Sequence, residues 1–208
     1  MLNELMERYP SLTVCKKEIE AAAQAWINCY ENGGKLMACG NGGSCADSEH
    51  IVGELMKGFL KKRPLSQEQI AEMKKNNPNV EDAWLAKLQG GLPAFALPSF
   101  GALNTAFCND VDPELIYAQP LMGMGKPGDI LVCISTSGNS KNVVAAAHVG
   151  KALGLQVIAL TGETGGKLKN LADICICVPE TETFKVQELH LPVYHYLCAE
   201  TEAHFYSE

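Results

Sequence analysis

The chain has 208 residues, of which 47% are hydrophobic, and its formal net charge at pH 7 is −7. This length suits one domain with a sizeable core, and the negative charge argues against a nucleic acid or an anionic membrane as a partner. The nine cysteines include no CxxC pair, the N-terminus lacks a signal-peptide pattern, and no apolar run approaches the ~20 residues of a membrane span. We therefore expect a cytoplasmic protein with reduced thiols.

Helical and strand patterns alternate along the chain. Residues 2–31 are predicted to be helical with a break at Pro10, and further helical patterns fall at 45–59, near 112–122, 140–153 and 166–171, and at 183–206. Between them lie continuous apolar runs at 35–39, 93–97, 129–134, 155–160 and 173–178. Such runs are typical of parallel strands buried on both faces. The order predicts an α/β fold with a doubly wound five-stranded parallel sheet flanked by helices, in one domain spanning 1–208.

Residues 61–91 interrupt this alternation. The segment carries two short polar helical patterns broken at "NNP". We interpret it as a helical insertion at the surface, and either a lid or a plain solvated excursion is compatible with its composition.

Two glycine-rich stretches imitate nucleotide-binding loops. "GMGKPG" at 123–128 precedes a strand instead of following one, and "TGETGGKL" at 161–168 has Leu168 where a Walker loop needs Ser or Thr. We reject both interpretations and expect no nucleotide cofactor.

The stretch "STSGNS" at 135–140 joins an apolar strand to a helix. A helix N-terminus offers unpaired N–H groups and a positive dipole end, which favour a phosphate. The hydroxyl groups of Ser135, Thr136, Ser137 and Ser140 add donors, and Gly138 lets the backbone fold around an oxyanion. The same residue types also suit an ordinary turn and cap, so both interpretations stay open.

A second such loop, "GNGGS" at 40–44, follows the first strand. Ser44 is predicted to cap the next helix, with Asp47 as its capping-box partner. His50 and Glu54 follow at i, i+4 and share a helical face, which suits a divalent metal, acid–base chemistry or a plain surface pair.

The last helix carries "QELHLPVYH", with Gln187, His190 and His195. Spacing alone does not decide which of these share a face, because Pro192 can bend the helix.

Taken together, these motifs resemble the sugar isomerase (SIS) domain family and, within it, the phosphoheptose isomerases. The resemblance covers nearly the whole chain apart from 61–91. It rests on "CGNGGS", the His50/Glu54 pair, "CND" at 108–110, "GKPGDILVCISTSGNSKNVVAAA", "VIALTGETGGKL" and "QELHLPVYH". It implies a flavodoxin-like fold and an aldose–ketose isomerase that converts sedoheptulose 7-phosphate to D-glycero-D-manno-heptose 7-phosphate through an enediol.

The resemblance also implies roles for individual residues. The expected substrate-binding residues are Asn41, Gly42, Gly43, Glu54, Asn109, Asp110, Ser135, Thr136, Ser137, Ser140 and Gln187. One zinc ion per subunit is expected on His50, Glu54, Gln187 and His195. Glu54 is expected to act as the base and His195 as the acid. A homotetramer with interfacial active sites is implied, and whether Gln187 and His195 come from the same or a neighbouring chain is left open.

Two alternatives remain at this stage. The DnaA initiator-associating protein is similar but acts as a binding protein, and in it the catalytic glutamate and the last histidine are replaced. Because Glu54 and His195 are both present here, we favour an enzyme. An isomerase of another sugar phosphate is the second alternative, since the 61–91 insertion and Pro192 depart from the usual heptose-isomerase pattern.

Overall fold

The computed structural model describes residues 1–206. Its sheet has five parallel strands in the order β2-β1-β3-β4-β5. The strands are β1 (Leu36–Cys39), β2 (Ala94–Ala96), β3 (Ile130–Ile134), β4 (Gln156–Thr161) and β5 (Ile174–Cys177). The predicted five-stranded parallel sheet is confirmed, and every predicted strand end lies within one residue of the observed end.

Helices surround the sheet. Within residues 1–206 the α-helices are α1 (Leu2–Arg8), α2 (Lys16–Glu31), α3 (Gly43–Met56), α4 (Gln67–Asn76), α5 (Asp82–Leu85), α6 (Gly101–Asp110), α7 (Ala118–Met124), α8 (Lys141–Ala152), α9 (Leu168–Leu171) and α10 (Thr183–Phe205). Short 3₁₀ helices cover Pro10–Cys15, Leu97–Ser99 and Pro113–Leu115. In the part of the chain that the structure describes, no helix is long and apolar enough to cross a bilayer.

The predicted helices differ from the observed ones in three places, and one of them is the end of α3, which lies at Met56 instead of residue 59. The break at Pro10 and the two short helices within 61–91 are confirmed. The pattern near 112–122 forms a 3₁₀ helix and then α7, and α6 was not predicted at all. No residue of α6 is buried, so the helix shows no apolar face in the sequence.

The core lies on both faces of the sheet. Alternate strand residues such as Ala38 and Val132 pack beneath α2, α3 and α10, whereas Met37 and Cys133 pack beneath α7 and α8. Side chains of a strand point alternately to the two faces, so a strand covered on both sides must be apolar throughout. This arrangement explains the continuous apolar runs.

The strand order fixes where a ligand can bind. The chain leaves β1 through α3 toward β2, and it leaves β3 through α8 toward β4, on the other side. Since α3 and α8 cover opposite faces, a crevice opens between the carboxyl ends of β1 and β3. In open α/β sheets this switch point is the usual ligand site.

A buried ion pair anchors the insertion to the rest of the fold. Arg63 is fully buried and donates from Nε to Glu202 Oε1 at 2.8 Å. Its Nη1 and Nη2 donate to the carbonyl oxygens of Leu55 and Glu54 at 2.6 and 3.1 Å, at the end of α3. Glu202 also accepts N–H groups from the backbone of residues 59–61. The pair therefore ties the end of α3 to α10.

Candidate active site

The loop at 135–140 lies at the switch point, directly after β3. Ser135 is buried and its Oγ lies 3.0 Å from Oγ of Ser140, whereas Thr136 is half-buried and Ser137 is exposed. Ser140 is the N-cap of α8, and its side chain makes no capping hydrogen bond. Asn142 Oδ1 accepts the N–H group of Val143 at 3.0 Å, and the N–H groups of Lys141 and Asn142 at the start of this twelve-residue helix have no side-chain cap among the described residues.

Residues 161–168, which were rejected as a Walker loop, pack against this loop. Gly138 has φ +64°, and a Cβ at that position would lie 2.0 Å from the carbonyl oxygen of Gly165. Leu168 N–H donates to the Gly138 carbonyl at 3.1 Å, and Lys167 N–H donates to Asn139 Oδ1 at 3.1 Å. The glycines of residues 161–168 allow two loops to stack backbone against backbone. That role left no signal in the sequence beyond the glycines themselves.

A pair of asparagines joins the two loops across the switch point. Asn41 Nδ2 donates to Asn142 Oδ1 at 2.8 Å, and Asn142 Nδ2 donates back to Asn41 Oδ1 at 3.0 Å. Tyr117 OH lies within hydrogen-bond distance of the Gly40 carbonyl and of Asn41 Oδ1, at 2.8 and 2.9 Å. Asn142 and Tyr117 were not predicted from the sequence, because only the folded chain brings them to Asn41.

Farther along α3 lies a cluster of His50, Glu54 and His195. His50 Nε2 lies 3.1 Å from Glu54 Oε1, and Lys57 Nζ lies 3.2 Å from Glu54 Oε2. The rings of His50 and His195 lie 5.0 Å apart between centroids, nearly perpendicular to each other. All three residues belong to this one chain. The structure thus brings together three of the four predicted metal ligands.

Gln187, the fourth predicted ligand, lies near the N-terminus of α10, away from His195. A Cβ added to Gly43 would lie 2.5 Å from Gln187 Nε2, so Gln187 packs on the first loop. It stands eight residues before His195 on α10, which continues through Pro192 without a break. Along an α-helix that spacing is about 12 Å.

His190 lies between these two residues and faces the sheet. It is fully buried, and its Nε2 lies 3.2 Å from the carbonyl oxygen of Thr161. Burial lowers its pKa to about 4, so the ring is neutral near pH 7. We assign it a structural role.

Asn109 and Asp110 lie at the exposed end of α6. Asn109 Nδ2 donates to Asp110 Oδ1 at 2.8 Å. Within residues 1–206 neither side chain makes a hydrogen bond to the loop at 40–44 or to the loop at 135–140. Their contact with the substrate therefore stays a prediction.

The predicted capping box at Ser44 and Asp47 is wrong. The helix α3 begins at Gly43, with Gly42 at the N-cap, which places Ser44 inside the first turn. Asp47 Oδ1 instead accepts a hydrogen bond from Tyr194 OH at 3.1 Å, and that hydroxyl lies 3.0 Å from His50 Nδ1. Burial and Asp47 raise the pKa of Tyr194, which keeps its hydroxyl group protonated.

The donor set of the cluster fits a divalent metal. Within residues 1–206 no group of three His, Cys, Asp or Glu side chains is close enough together to hold a metal ion as the side chains now stand. However, His50 Nε2 and Glu54 Oε1 face each other, and the buried Nε2 of His195 has no hydrogen-bond partner among the described residues. Burial and the neighbouring His50 lower the pKa of His195, which favours the neutral imidazole that binds metals. Imidazole nitrogens and a carboxylate are common zinc ligands.

Comparison with known proteins identifies relatives along the whole chain. The SIS domain family model matches residues 3–96 and 86–162. A phosphoheptose isomerase of Akkermansia muciniphila is 34% identical over 202 residues, which is 97% of this chain and 93% of that protein. One of Thiobacillus denitrificans is 38% identical over 183 residues, covering 86% and 80% of the two chains.

Solved structures agree with these relatives. The phosphoheptose isomerase of Neisseria gonorrhoeae superposes with a TM-score of 0.76 at 29% identity, over 97% of this chain and 94% of that one. The one from Francisella tularensis gives a TM-score of 0.76 at 31% identity, over 93% and 90%. The chain therefore belongs to the SIS domain family and, within it, to the phosphoheptose isomerases.

Proposed function

We propose that the chain is an aldose–ketose isomerase that converts sedoheptulose 7-phosphate to D-glycero-D-manno-heptose 7-phosphate. The observation that carries the proposal is that the fold supplies two functional parts. A hydroxyl-rich loop at a helix N-terminus lies at the switch point, and α3 and α10 connect it to the His50–Glu54–His195 cluster. A phosphate-binding part and a proton-transfer part are what a phosphosugar isomerase needs.

The hydroxyl-rich loop would bind the phosphate. Ser135, Thr136, Ser137 and Ser140 would supply hydroxyl donors, and the first N–H groups of α8 would supply backbone donors. Residues 41–43 would contact the sugar, together with Gln187, which already packs on Gly43. Asn109 and Asp110 are assigned to the substrate by family resemblance alone.

Two proton transfers would complete the reaction. In our assignment Glu54 removes the proton from C1 of the ketose, while His195 protonates the carbonyl oxygen at C2, and a cis-enediol results. A proton is then returned to C2 as the hydroxyl group at C1 loses its own, which gives the aldose. Both carboxylate oxygens of Glu54 have a partner in this structure, His50 Nε2 at Oε1 and the exposed Lys57 Nζ at Oε2, so the base acts once one of these contacts is released.

We propose one zinc ion per subunit, with His50, Glu54 and His195 as ligands and Gln187 as the fourth by family resemblance. The orphaned Nε2 of His195 supports this. Zinc would polarise the carbonyl and hydroxyl oxygens of the sugar as a Lewis acid.

We also propose a cytoplasmic homotetramer whose sites lie at subunit interfaces. The cytoplasmic assignment is supported by the cysteines, all nine of which are free thiols. The interfacial sites are supported by the exposed position of Asn109 and Asp110, which a neighbouring subunit could complete.

The test is an NMR assay of purified protein with sedoheptulose 7-phosphate, with and without added zinc. We expect the aldose phosphate to appear, and we expect Glu54→Gln to abolish its formation. Glu49→Gln is the matched control, because Glu49 lies on the same helix but binds Ser99 instead of the cluster. The control should retain full turnover.

Three results would count against the proposal. Full turnover in Glu54→Gln would remove this residue from the mechanism. Conversion of a different sugar phosphate would redirect the proposal to another substrate. Saturable binding without turnover would favour a non-catalytic binding protein, which the isomerase relatives do not favour.

A further inference from the structure

Tyr194 connects the carboxylate of the half-buried Asp47 to His50. Its side chain is 1% exposed. Its hydroxyl group donates to Asp47 Oδ1 at 3.1 Å and lies 3.0 Å from His50 Nδ1. The three residues form a chain of hydrogen bonds that ends at Glu54, because His50 Nε2 lies 3.1 Å from Glu54 Oε1.

The number of protons decides the direction of these hydrogen bonds. A tyrosine hydroxyl group has one proton, and here that proton is donated to Asp47. The tyrosine oxygen can then only accept from His50, so the histidine must carry a proton on Nδ1. A neutral imidazole with its proton on Nδ1 has a bare lone pair on Nε2. Nε2 faces another acceptor, Glu54 Oε1, so the contact is favourable only when a cation lies between the two atoms or a second proton on Nε2 makes His50 an imidazolium.

We infer that Asp47 and Tyr194 are positioning residues that hold His50 in its Nδ1–H tautomer and present Nε2 to a divalent cation shared with Glu54 and His195. The inference rests on the proposed function, whose metal site it deepens. A hydrogen bond from the other ring nitrogen of a metal-binding histidine fixes its tautomer and orientation.

A purely structural role explains the arrangement less well. Asp47 Oδ2 is buried and has no partner among the described residues. Burying an unpaired carboxylate oxygen is costly, and an apolar residue of similar size would pack there without that cost. The carboxylate of Asp47 therefore serves to orient the hydroxyl group of Tyr194, and that hydroxyl group in turn fixes the tautomer of His50.

The first measurement is the tautomer of His50 in metal-free protein. Long-range ¹H–¹⁵N NMR of protein labelled at its five histidines, treated with a chelator, distinguishes a protonated from a bare ring nitrogen. His50→Gln identifies the resonance. We expect a proton on Nδ1 of His50 in the parent protein. In Asp47→Leu the hydroxyl group of Tyr194 becomes free to donate to Nδ1, and we expect the tautomer to invert to Nε2–H.

The second measurement is zinc affinity by chelator competition. Tyr194→Phe removes only the hydroxyl group, and we expect affinity to fall by about 10–100-fold. Tyr196→Phe is the control, because it removes a hydroxyl group from the same helix outside the hydrogen-bond chain, and its affinity should be unchanged. Near-UV circular dichroism and thermal unfolding check that each variant is folded.

The outcomes separate this inference from the proposed function. A bare Nδ1 on His50 in the parent protein would overturn the inference. An unchanged tautomer in Asp47→Leu, an unchanged zinc affinity in Tyr194→Phe or an absence of zinc binding would overturn it too. If the tautomer and affinity behave as expected while sedoheptulose 7-phosphate is not converted, the inference stands and the proposed substrate is wrong.

Discussion

At the scale of single residues, Gly138 sets the shape of the phosphate loop. Its φ of +64° is unfavourable for other residues, and a Cβ would lie 2.0 Å from the Gly165 carbonyl oxygen. We expect Gly138→Ala to separate the two loops, to raise KM for the sugar phosphate at least tenfold and to lower the free energy of unfolding by about 1–3 kcal/mol. Gly123→Ala is the control, because nothing lies near its Cβ position. Steady-state kinetics and urea unfolding check both variants, and an unchanged KM in Gly138→Ala would contradict the assignment of this loop.

Ser137 tests the charge preference of the same loop. Its side chain is exposed, so an aspartate fits without repacking. A carboxylate there would repel the phosphate, and we expect Ser137→Asp to weaken binding of the sugar phosphate by tenfold or more, as measured by calorimetry. Ser66→Asp introduces the same charge at the N-cap of α4, where Asp and Ser serve equally well, and should leave binding unchanged. Equal affinity in both variants would indicate that the phosphate binds elsewhere.

Several site residues were invisible to sequence reasoning for a physical reason. The pair His50/Glu54 could be found because both residues lie on one helix, four positions apart. Asn142 and Tyr194 act through partners about 100 or more positions away along the chain. Asp47 shows the risk of local reasoning: its spacing from Ser44 matched a capping box, but the helix starts earlier and Tyr194 supplies the partner.

At the scale of elements, the Arg63–Glu202 pair joins the two helices that carry Glu54 and His195. Removing one partner leaves a buried charge unpaired, which typically costs about 3–5 kcal/mol. We expect Glu202→Gln to lower the free energy of unfolding by an amount in that range and to reduce kcat, because the end of α3 loses its anchor. Lys185→Gln breaks an exposed pair with Glu182 and should have little effect. Urea unfolding at fixed protein concentration compares the two, and a near-neutral Glu202→Gln would contradict this role.

The same pair predicts a loss of stability in acid. Burial alone would raise the pKa of Glu202, but the N–H groups of Phe59, Leu60 and Arg63 outweigh it, so its pKa lies below the ordinary value of 4.5. Because the folded pKa is lowered, the contribution of Glu202 to stability is complete above pH 4.5 and is lost as the pH falls through the folded value. We expect the parent protein to lose more stability below pH 4.5 than Glu202→Gln does, as measured by thermal unfolding between pH 3 and 7. Parallel pH profiles would contradict this.

The elements also show how far the sequence predicts the fold. β1 and β3 are buried and apolar at every position, and the other three strands are apolar apart from Gln156 and Thr161 of β4, so all five were found with nearly correct ends. The helix α6 was missed because none of its residues is buried within this chain, which leaves no periodic apolar face to detect. The function of the 161–168 glycines was likewise missed, because their contact is with a loop that follows a different strand.

At the scale of the whole molecule, α6 and α4 are the two α-helices that bury none of their residues among the described residues 1–206. Leu103 within α6 is 39% exposed, and Val111 just after it is 64% exposed. Apolar groups of this kind mark candidate interfaces. We expect light scattering to give four times the 22.4-kDa chain mass, and Leu103→Asp to lower it. Leu88→Asp, at an exposed position in the insertion, is the control and should leave the mass unchanged. A monomeric parent protein at micromolar concentration would contradict the proposed tetramer.

The central claim is that this crevice binds a sugar phosphate and that Glu54 moves a proton between its first two carbons. The most direct measurement is proton NMR of sedoheptulose 7-phosphate incubated with the protein in D₂O. We predict that the aldose phosphate forms and that deuterium accumulates at C1 of the ketose over repeated turnovers, and that Glu54→Gln shows neither. Interconversion without any deuterium would indicate a hydride shift and contradict the enediol route. No interconversion at all would contradict the assigned activity.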